Sequence, residues 1–276
     1  MSDFLPTCVE AARAAGKVLL DWQLRFTVRE KGRNDLVTEA DVAAQEVIRQ
    51  IVLKTFPDHD FLSEEEAADR KVQNLPTPPR RSRFRWIVDP LDGTANYVHR
   101  LPAYAVSIAL EHGSDLVCGC VLDPTSGECY TAALGQGAAL NGKPIRVSGC
   151  QTLEQAMVAV SFPPNVPRGS IEITRFVEVL HAAQSVRRLG SAALNLCYIG
   201  AGRLDSYWAT SVSAWDVAAG VLVVREAGGM VTDIRGTPLE IDRPELVAAG
   251  SPELHAQVLQ TLRHAAAEHA RQNFTK

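Results

Sequence analysis

Two aspartates stand three residues apart at the end of an apolar run in WIVDPLDGTANYVHRLP, residues 86–102. They are Asp89 and Asp92, and Gly93 and Thr94 follow at once. Pro90 fixes φ and helps turn the chain. Gly93 permits a close backbone approach or an unusual φ. Two carboxylates and the intervening Leu91 carbonyl can converge on one hard cation, and oxygen-only ligands suit Mg2+, Mn2+ or Ca2+ better than zinc. After Gly93, the run TANYVH can open a short helix whose free N–H groups and dipole favour a phosphate. The same residues also read as a turn with a capping aspartate.

Three more acidic stations carry similar double readings. LSEEE, with Glu64 to Glu66, follows the extended apolar pair Phe61-Leu62. It reads as a ligand cluster or as a helix start whose acids complement the dipole. DLVTEAD, Asp35 to Asp41, has Lys31 just upstream and also reads as a helix start. In SAWDVAAG, Asp216 stands between Trp215 and a small-residue helix, where an N-cap role competes. Taken together, four acidic stations at strand ends and helix starts are where layered folds build sites. Clustered carboxylates repel unless cations join them. Metal ions beside a helix N-terminus that receives phosphate point to metal-assisted phosphoryl chemistry.

The elements that must position these stations are legible in outline. Residues 8–22 have helical spacing, with Val9, Ala12, Val18 and Leu19 on one face. Residues 38–55 are helical too, and Thr38 with Asp41 three residues on resembles a start signal. The proline-rich basic stretch NLPTPPRRSRFR reads as a surface loop. Extended runs are predicted at 86–88, 104–111, 116–122 and 128–133, the middle two joined by a hairpin turn at HGSD. Alternation loosens through LGQGAALNGKPIRVS. The second half predicts strands at MVAVSF, 185–189, LDSYWA, MVTDI and LVAAG. It predicts helices at 170–183, 191–201, from Asp216 to a Gly-Gly stop, and 252–271. Long helices mixed with hairpin-joined strands imply layered α+β, not a regular βαβ alternation.

Composition bounds the rest. The 276 residues suffice for one large domain or two small ones. A net charge of −4 predicts no bulk attraction to nucleic acid or anionic membrane. The N-terminus reads as an amphipathic helix rather than a signal peptide. No apolar run is long enough to span a bilayer. The six cysteines match no zinc pattern and read as reduced, mostly buried thiols of a cytoplasmic protein.

The motifs resemble the inositol monophosphatase family, within the lithium-sensitive, magnesium-dependent phosphatases. WIVDPLDGTANYVHRLP is similar to the family's D-P-[IL]-D-G-[TS] signature. SAWDVAAGVLVVREAGG is similar to its second signature, W-D-x-A-[AG]-G followed by E-A-G-G. DLVTEAD and LSEEE fall where the family has D-x-V-T-x-x-D and G-E-E. The likeness covers roughly residues 5 to 265. It implies a layered αβαβα sandwich of the inositol monophosphatase and fructose-1,6-bisphosphatase type, a single phosphatase domain over 1–276 with lobes at 1–140 and 141–276, and a homodimer. It implies up to three Mg2+ ions, places that Mn2+ or Ca2+ can also take, and hydrolysis of a small phosphate monoester by direct attack of water.

Position by position, the resemblance gives Glu64, Asp89 and the Leu91 carbonyl to the first metal and Asp89, Asp92 and Asp216 to the second. Glu64 also holds a third through water, with Asp41 in that shell. Glu64 and Thr94 orient and deprotonate the attacking water. The backbone of Gly93, Thr94 and Ala95 receives the phosphate. Gly190, Ser191 and Ala192 match the segment lining the alcohol side.

Three positions depart from the family pattern. Ala95 replaces a second hydroxyl residue, at a cost of about 1 kcal/mol for a lost hydrogen bond. Ser63 stands in place of a glycine before the glutamates. Ala209 stands where inositol phosphatases carry a ring-reading glutamate, seven residues before Asp216. Inositol 1-phosphate or a related sugar phosphate is the expected substrate. Histidinol phosphate, fructose 1,6-bisphosphate and 3'-phosphoadenosine nucleotides are alternatives, with Thr210, Ser211 or Ser213 as substitute readers. A reading from another class is a non-catalytic protein that contacts RNA or RNA polymerase, supported by the basic loop Arg80, Arg81, Arg83 and Arg85. Nucleotide binding by GQGAALNG lacks the strand–glycine–helix context.

Overall fold

Side chains alternate along residues 86–88: Trp86 and Val88 enter one apolar cluster, and Ile87 enters another. Such a strand must be covered on both faces, and helices cover it. In this computed structural model, which describes residues 4–23, 25, 27–32, 35–73, 75–76 and 78–274, the first half runs α1 (Phe4–Trp22), β1 (Val28–Gly32), β2 (Asp35–Thr38), α2 (Glu39–Thr55), β3 (Asp60–Ser63), α3 (Glu64–Val72), β4 (Phe84–Asp92), α4 (Thr94–Val98), β5 (Ala105–His112), β6 (Asp115–Asp123), β7 (Glu128–Ala133), β8 (Gly137–Leu140) and β9 (Lys143–Pro144). The second half follows as β10 (Met157–Ser161), α5 (Ile171–Ala182), β11 (Ser185–Arg187), α6 (Ala192–Gly200), β12 (Ser206–Ala209), α7 (Ala214–Glu226), β13 (Met230–Asp233), β14 (Leu246–Ala249) and α8 (Pro252–Phe274).

Strands β3 to β9 form a seven-stranded sheet in sequence order, and a five-stranded sheet has the order β11-β10-β12-β14-β13. Helices α1 and α2 pack on the outer face of the large sheet. Helices α6 and α7 lie between the two sheets, and α5 and α8 cover the small sheet from outside. The layers therefore read αβαβα, as expected. The middle helices are apolar almost all round, AALNLCYIG and AWDVAAGVLVVRE, because both their faces are buried. No helix among the described residues is long and apolar enough to cross a membrane.

Several expectations change in detail. The strand predicted at 86–88 runs from Phe84 to Asp92, because it has a partner on each side. Its ladder with β5 is broken only between Asp89 and Asp92, where the bend sits. Residues 35–38 form a strand paired with 28–32 before the helix begins at Glu39. The side chains of Lys31 and Asp35 lie outside the described residues. The glycine-punctuated stretch after 134 still adds β8 and β9 to the sheet. All six cysteines are free thiols, five of them buried.

Candidate active site

Backbone register brings the acidic stations together. The parallel β3–β4 pair sets Ser63 opposite Val88, so β3 releases Glu64 where β4 reaches Asp89. Ser63 then caps α3 by accepting from Glu66 N–H at 3.4 Å. Thr38 caps α2 and Ser213 caps α7, each with an aspartate at the third helical position, Asp41 and Asp216. The helix-start reading of these acids is thus correct, and it is also what aims them: a capping box fixes one carboxylate oxygen on the backbone and leaves the other to the site. Asp216 Oδ2 accepts from Ser213 N–H at 2.6 Å.

A groove of about 240 Å3 opens between the sheets' ends. Glu64, Asp89, Leu91, Asp92, Thr94 and Asp216 line it, as do Gly93, Ala95, Gly190 and Ala192. Gly93 has a left-handed φ of 93°, and a Cβ there would stand 3.0 Å from the Ala103 carbonyl. Only glycine meets both conditions. Gly190, φ 92°, packs where a Cβ would meet the Asn96 amide at 2.7 Å. Asn96, which carried no sequence signal, ties the two segments by donating to the Ala103 and Leu189 carbonyls at 2.7 and 2.8 Å.

Asp92 is 7% exposed and anchored across the chain. It accepts from Ser191 Oγ at 2.5 Å and from the Ala192 and Ala193 amides at 3.3 and 2.8 Å. It therefore sits on the N-terminus of α6, so the capping role considered for it is real but serves a helix a hundred residues away. Ser191 lies behind the groove wall, fully buried, with its hydroxyl on Asp92 and its oxygen accepting from Leu194 N–H. Asp41 is also buried. Its Oδ2 is held by Thr38 N–H at 2.8 Å and Thr38 Oγ1 at 2.6 Å, and its Oδ1 faces the Thr94 hydroxyl at 3.3 Å. The Thr94 hydroxyl also reaches the Leu91 carbonyl at 3.1 Å.

Burial and the neighbouring Glu64, Asp92 and Asp216 carboxylates push the Asp89 pKa well up. Asp216 is pushed up by burial and by Asp92 and Glu64. Burial raises Asp92 to about 6, and the three hydrogen bonds from α6 limit the rise. No arginine or lysine among the described residues forms an ion pair with Asp89, Asp92 or Asp216. No three His, Cys, Asp or Glu side chains among the described residues close into a ready-made cage. The carboxylates are instead spread around the groove, with Asp89, Asp92 and Asp216 each held by a backbone or hydroxyl donor. An all-oxygen set in which Asp89, Asp92 and Asp216 are pushed up and pair with no arginine or lysine among the described residues fits hard divalent cations.

The basic loop behaves differently. Arg85 pairs with Glu111 at 2.9 Å and Asp242 at 2.7 Å, and Arg80 pairs with the same two acids at 3.1 and 2.9 Å. These arginines tie the large sheet to the 239–245 loop rather than offering a free basic patch.

The second half contributes groove residues that the sequence had not announced, Ser161, Phe162, Pro164 and Val212, and one that it had, Ser211. Of the proposed substitute readers, Ser211 alone lines the groove. Ala209 is fully buried one strand in, paired with Ser161 in the β10–β12 register. A larger hollow of about 460 Å3 lies across Val212, around Asp233 and Arg235, but those two are already paired with each other.

The inositol monophosphatase family profile matches residues 1–267. The Nus factor SuhB of Pseudomonas aeruginosa is 36% identical over 268 residues, 95% of this chain and 96% of that protein. The inositol-1-monophosphatase of Mesorhizobium japonicum is 39% identical over 252 residues, 90% of this chain and 91% of that one. Among solved structures, the inositol monophosphatase from Anabaena superposes with a TM-score of 0.83 at 34% identity, over 95% of this chain and 96% of its own.

Proposed function

The chain belongs to the inositol monophosphatase family, and on that premise we propose that it hydrolyses a small phosphate monoester with water, inositol 1-phosphate or a related sugar phosphate. The observation that carries this reading is the groove itself: four carboxylates, three of them paired with no arginine or lysine among the described residues, around an opening sized for a small ester. Glu64, Asp89, the Leu91 carbonyl, Asp92 and Asp216 would hold Mg2+. When bound, magnesium neutralises phosphate oxygens, lowers the pKa of water and stabilises the departing alkoxide.

The chain's own residues do the positioning. Asp41, locked by Thr38, and the Leu91 carbonyl both draw the Thr94 hydrogen backward. The Thr94 oxygen is then left to accept from the attacking water and aim its lone pair at phosphorus. Glu64 takes the proton. The amides at the start of α4, Gly93 to Ala95, receive the phosphate oxygens. Gly190 and Ala192 bound the alcohol. Because Ala209 supplies no carboxylate, selectivity for the inositol ring is weaker than a glutamate would give. Histidinol phosphate, fructose 1,6-bisphosphate and 3'-phosphoadenosine nucleotides therefore stay among the candidates. The protein is proposed to act in the cytoplasm as a homodimer of one-domain subunits.

Relatives named Nus factor SuhB favour a second reading, contact with RNA or RNA polymerase. Two of its four loop arginines are already in ion pairs. Phosphate release from a panel of these esters, with and without magnesium, tests the first reading: magnesium-dependent release from at least one is expected. No release from any, together with RNA binding in a mobility-shift assay, would replace it with the second.

A further inference from the structure

The Tyr207 side chain is fully buried, and its phenol donates a 2.8 Å hydrogen bond to Ser161 Oγ. Ser161 ends β10, half-buried, and lines the groove. Burial, with Asp92 and Asp216 nearby, keeps the phenol protonated and hence a donor. Asn195 of α6 lies close enough to influence the same phenol, and neither of its buried amide atoms has a hydrogen-bond partner. A serine hydroxyl that accepts from behind keeps its own hydrogen to give. Ser161 donates to no group among the described residues. Its register partner Ala209 offers only a methyl. The next groove residue, Phe162, carries the Arg188 guanidinium 5.8 Å over its ring. Arg188 is exposed and has no acidic partner among the described residues. Here the groove thus presents a hydroxyl hydrogen from Ser161 beside Phe162, whose ring carries the Arg188 guanidinium.

We propose that Ser161, positioned by Tyr207, is a specificity-determining residue that donates a hydrogen bond to an anionic oxygen, carboxylate or second phosphate, on the alcohol portion of the substrate. The inference rests on the reading of the groove as a phosphatase site. Tyr207 is a positioning residue: it orients the serine and touches no substrate.

The test compares two esters that differ only in the group of interest, 3-phosphoglycerate and glycerol 3-phosphate, with magnesium. Wild-type protein is expected to favour 3-phosphoglycerate. Ser161→Ala should lower kcat/KM for 3-phosphoglycerate about tenfold, through KM, and change glycerol 3-phosphate by no more than about twofold. Tyr207→Phe should move KM in the same direction by about threefold, and Ser161→Thr, which keeps the hydroxyl, should stay near wild type. Equal losses on both esters, or no loss on either, would overturn the proposal while leaving the phosphatase reading intact. Hydrolysis of neither ester, nor of any in the wider panel, by wild-type protein would overturn both.

Discussion

Strand β4 carries an acidic cluster near each end, and the two are built oppositely. Near its start, Arg85 meets Glu111 and Asp242. At its end, Asp89 and Asp92 meet Glu64 and Asp216. Glu111 is 4% exposed and Asp89 1%, so burial alone does not separate them. Charge does. Burial pushes the Asp242 carboxyl up, but the Arg85 and Arg80 guanidiniums outweigh it and hold the group below its usual value. At the other end no arginine or lysine among the described residues pairs with Asp89, Asp92 or Asp216, and all three are pushed up. A buried acid beside arginine closes a structure. A buried acid beside other acids keeps an affinity for cations that the chain itself does not satisfy.

The sharpest way to break this contrast is to neutralise one acid from each cluster. Asp92→Asn should lower phosphate release by at least about a thousandfold while leaving the fold intact. Glu111→Gln should do the reverse: turnover near wild type, and denaturant unfolding showing a loss of about 3 kcal/mol, because two arginines lose a buried partner. Similar activities for the two variants would erase the distinction.

Magnesium should also separate the clusters. An ion that binds only the folded protein stabilises it by about 2.7 kcal/mol at a hundred times its Kd. Thermal unfolding of wild type and of Glu111→Gln should shift upward with magnesium, and Asp216→Asn should lose most of the shift.

The pH dependence of the metal-free protein is a smaller effect. Asp92 titrates at about 6 in the fold against about 3.9 when unfolded. Between those values the folded state holds a proton that the unfolded state has released. The Asp92 contribution to stability should therefore fall as pH rises from about 4 to about 6. Asp89 and Asp216 add in the same direction. Saturating magnesium, which favours the ionised carboxylates, should flatten or reverse the slope in chemical denaturation across that window. The smallest effect is expected at Thr38→Ala, which removes a cap worth about 1 kcal/mol and frees Asp41. Turnover should drop several-fold, with KM little changed.

Legibility followed the same division. Asp89, Asp92, Gly93 and Thr94 fall within six residues, so their spacing spoke for itself, and Glu64 and Asp216 sat beside recognisable helix starts. A layered α+β fold followed from long helices mixed with hairpin-joined strands, and the five layers followed from the family resemblance. Ser161, Phe162 and Val212 were silent because each is a single residue on a strand end or loop, brought to the groove by the second sheet. Ser191 was read as facing substrate, yet it is buried beneath Asp92, since a capping serine looks the same in sequence whether its hydroxyl points in or out. The arginine loop looked like a free basic patch because Glu111 and Asp242 lie 26 and 157 residues from Arg85. Ala209 was legible as a departure but not as a buried one.

The most direct measurement is steady-state phosphate release from inositol 1-phosphate with magnesium titrated from zero, for wild type and Asp92→Asn side by side. Release that is absent without magnesium, saturates with it, and vanishes in Asp92→Asn is the predicted result. Magnesium-independent release, or release by Asp92→Asn at the wild-type rate, would contradict the assignment of this groove as a metal-dependent phosphatase site.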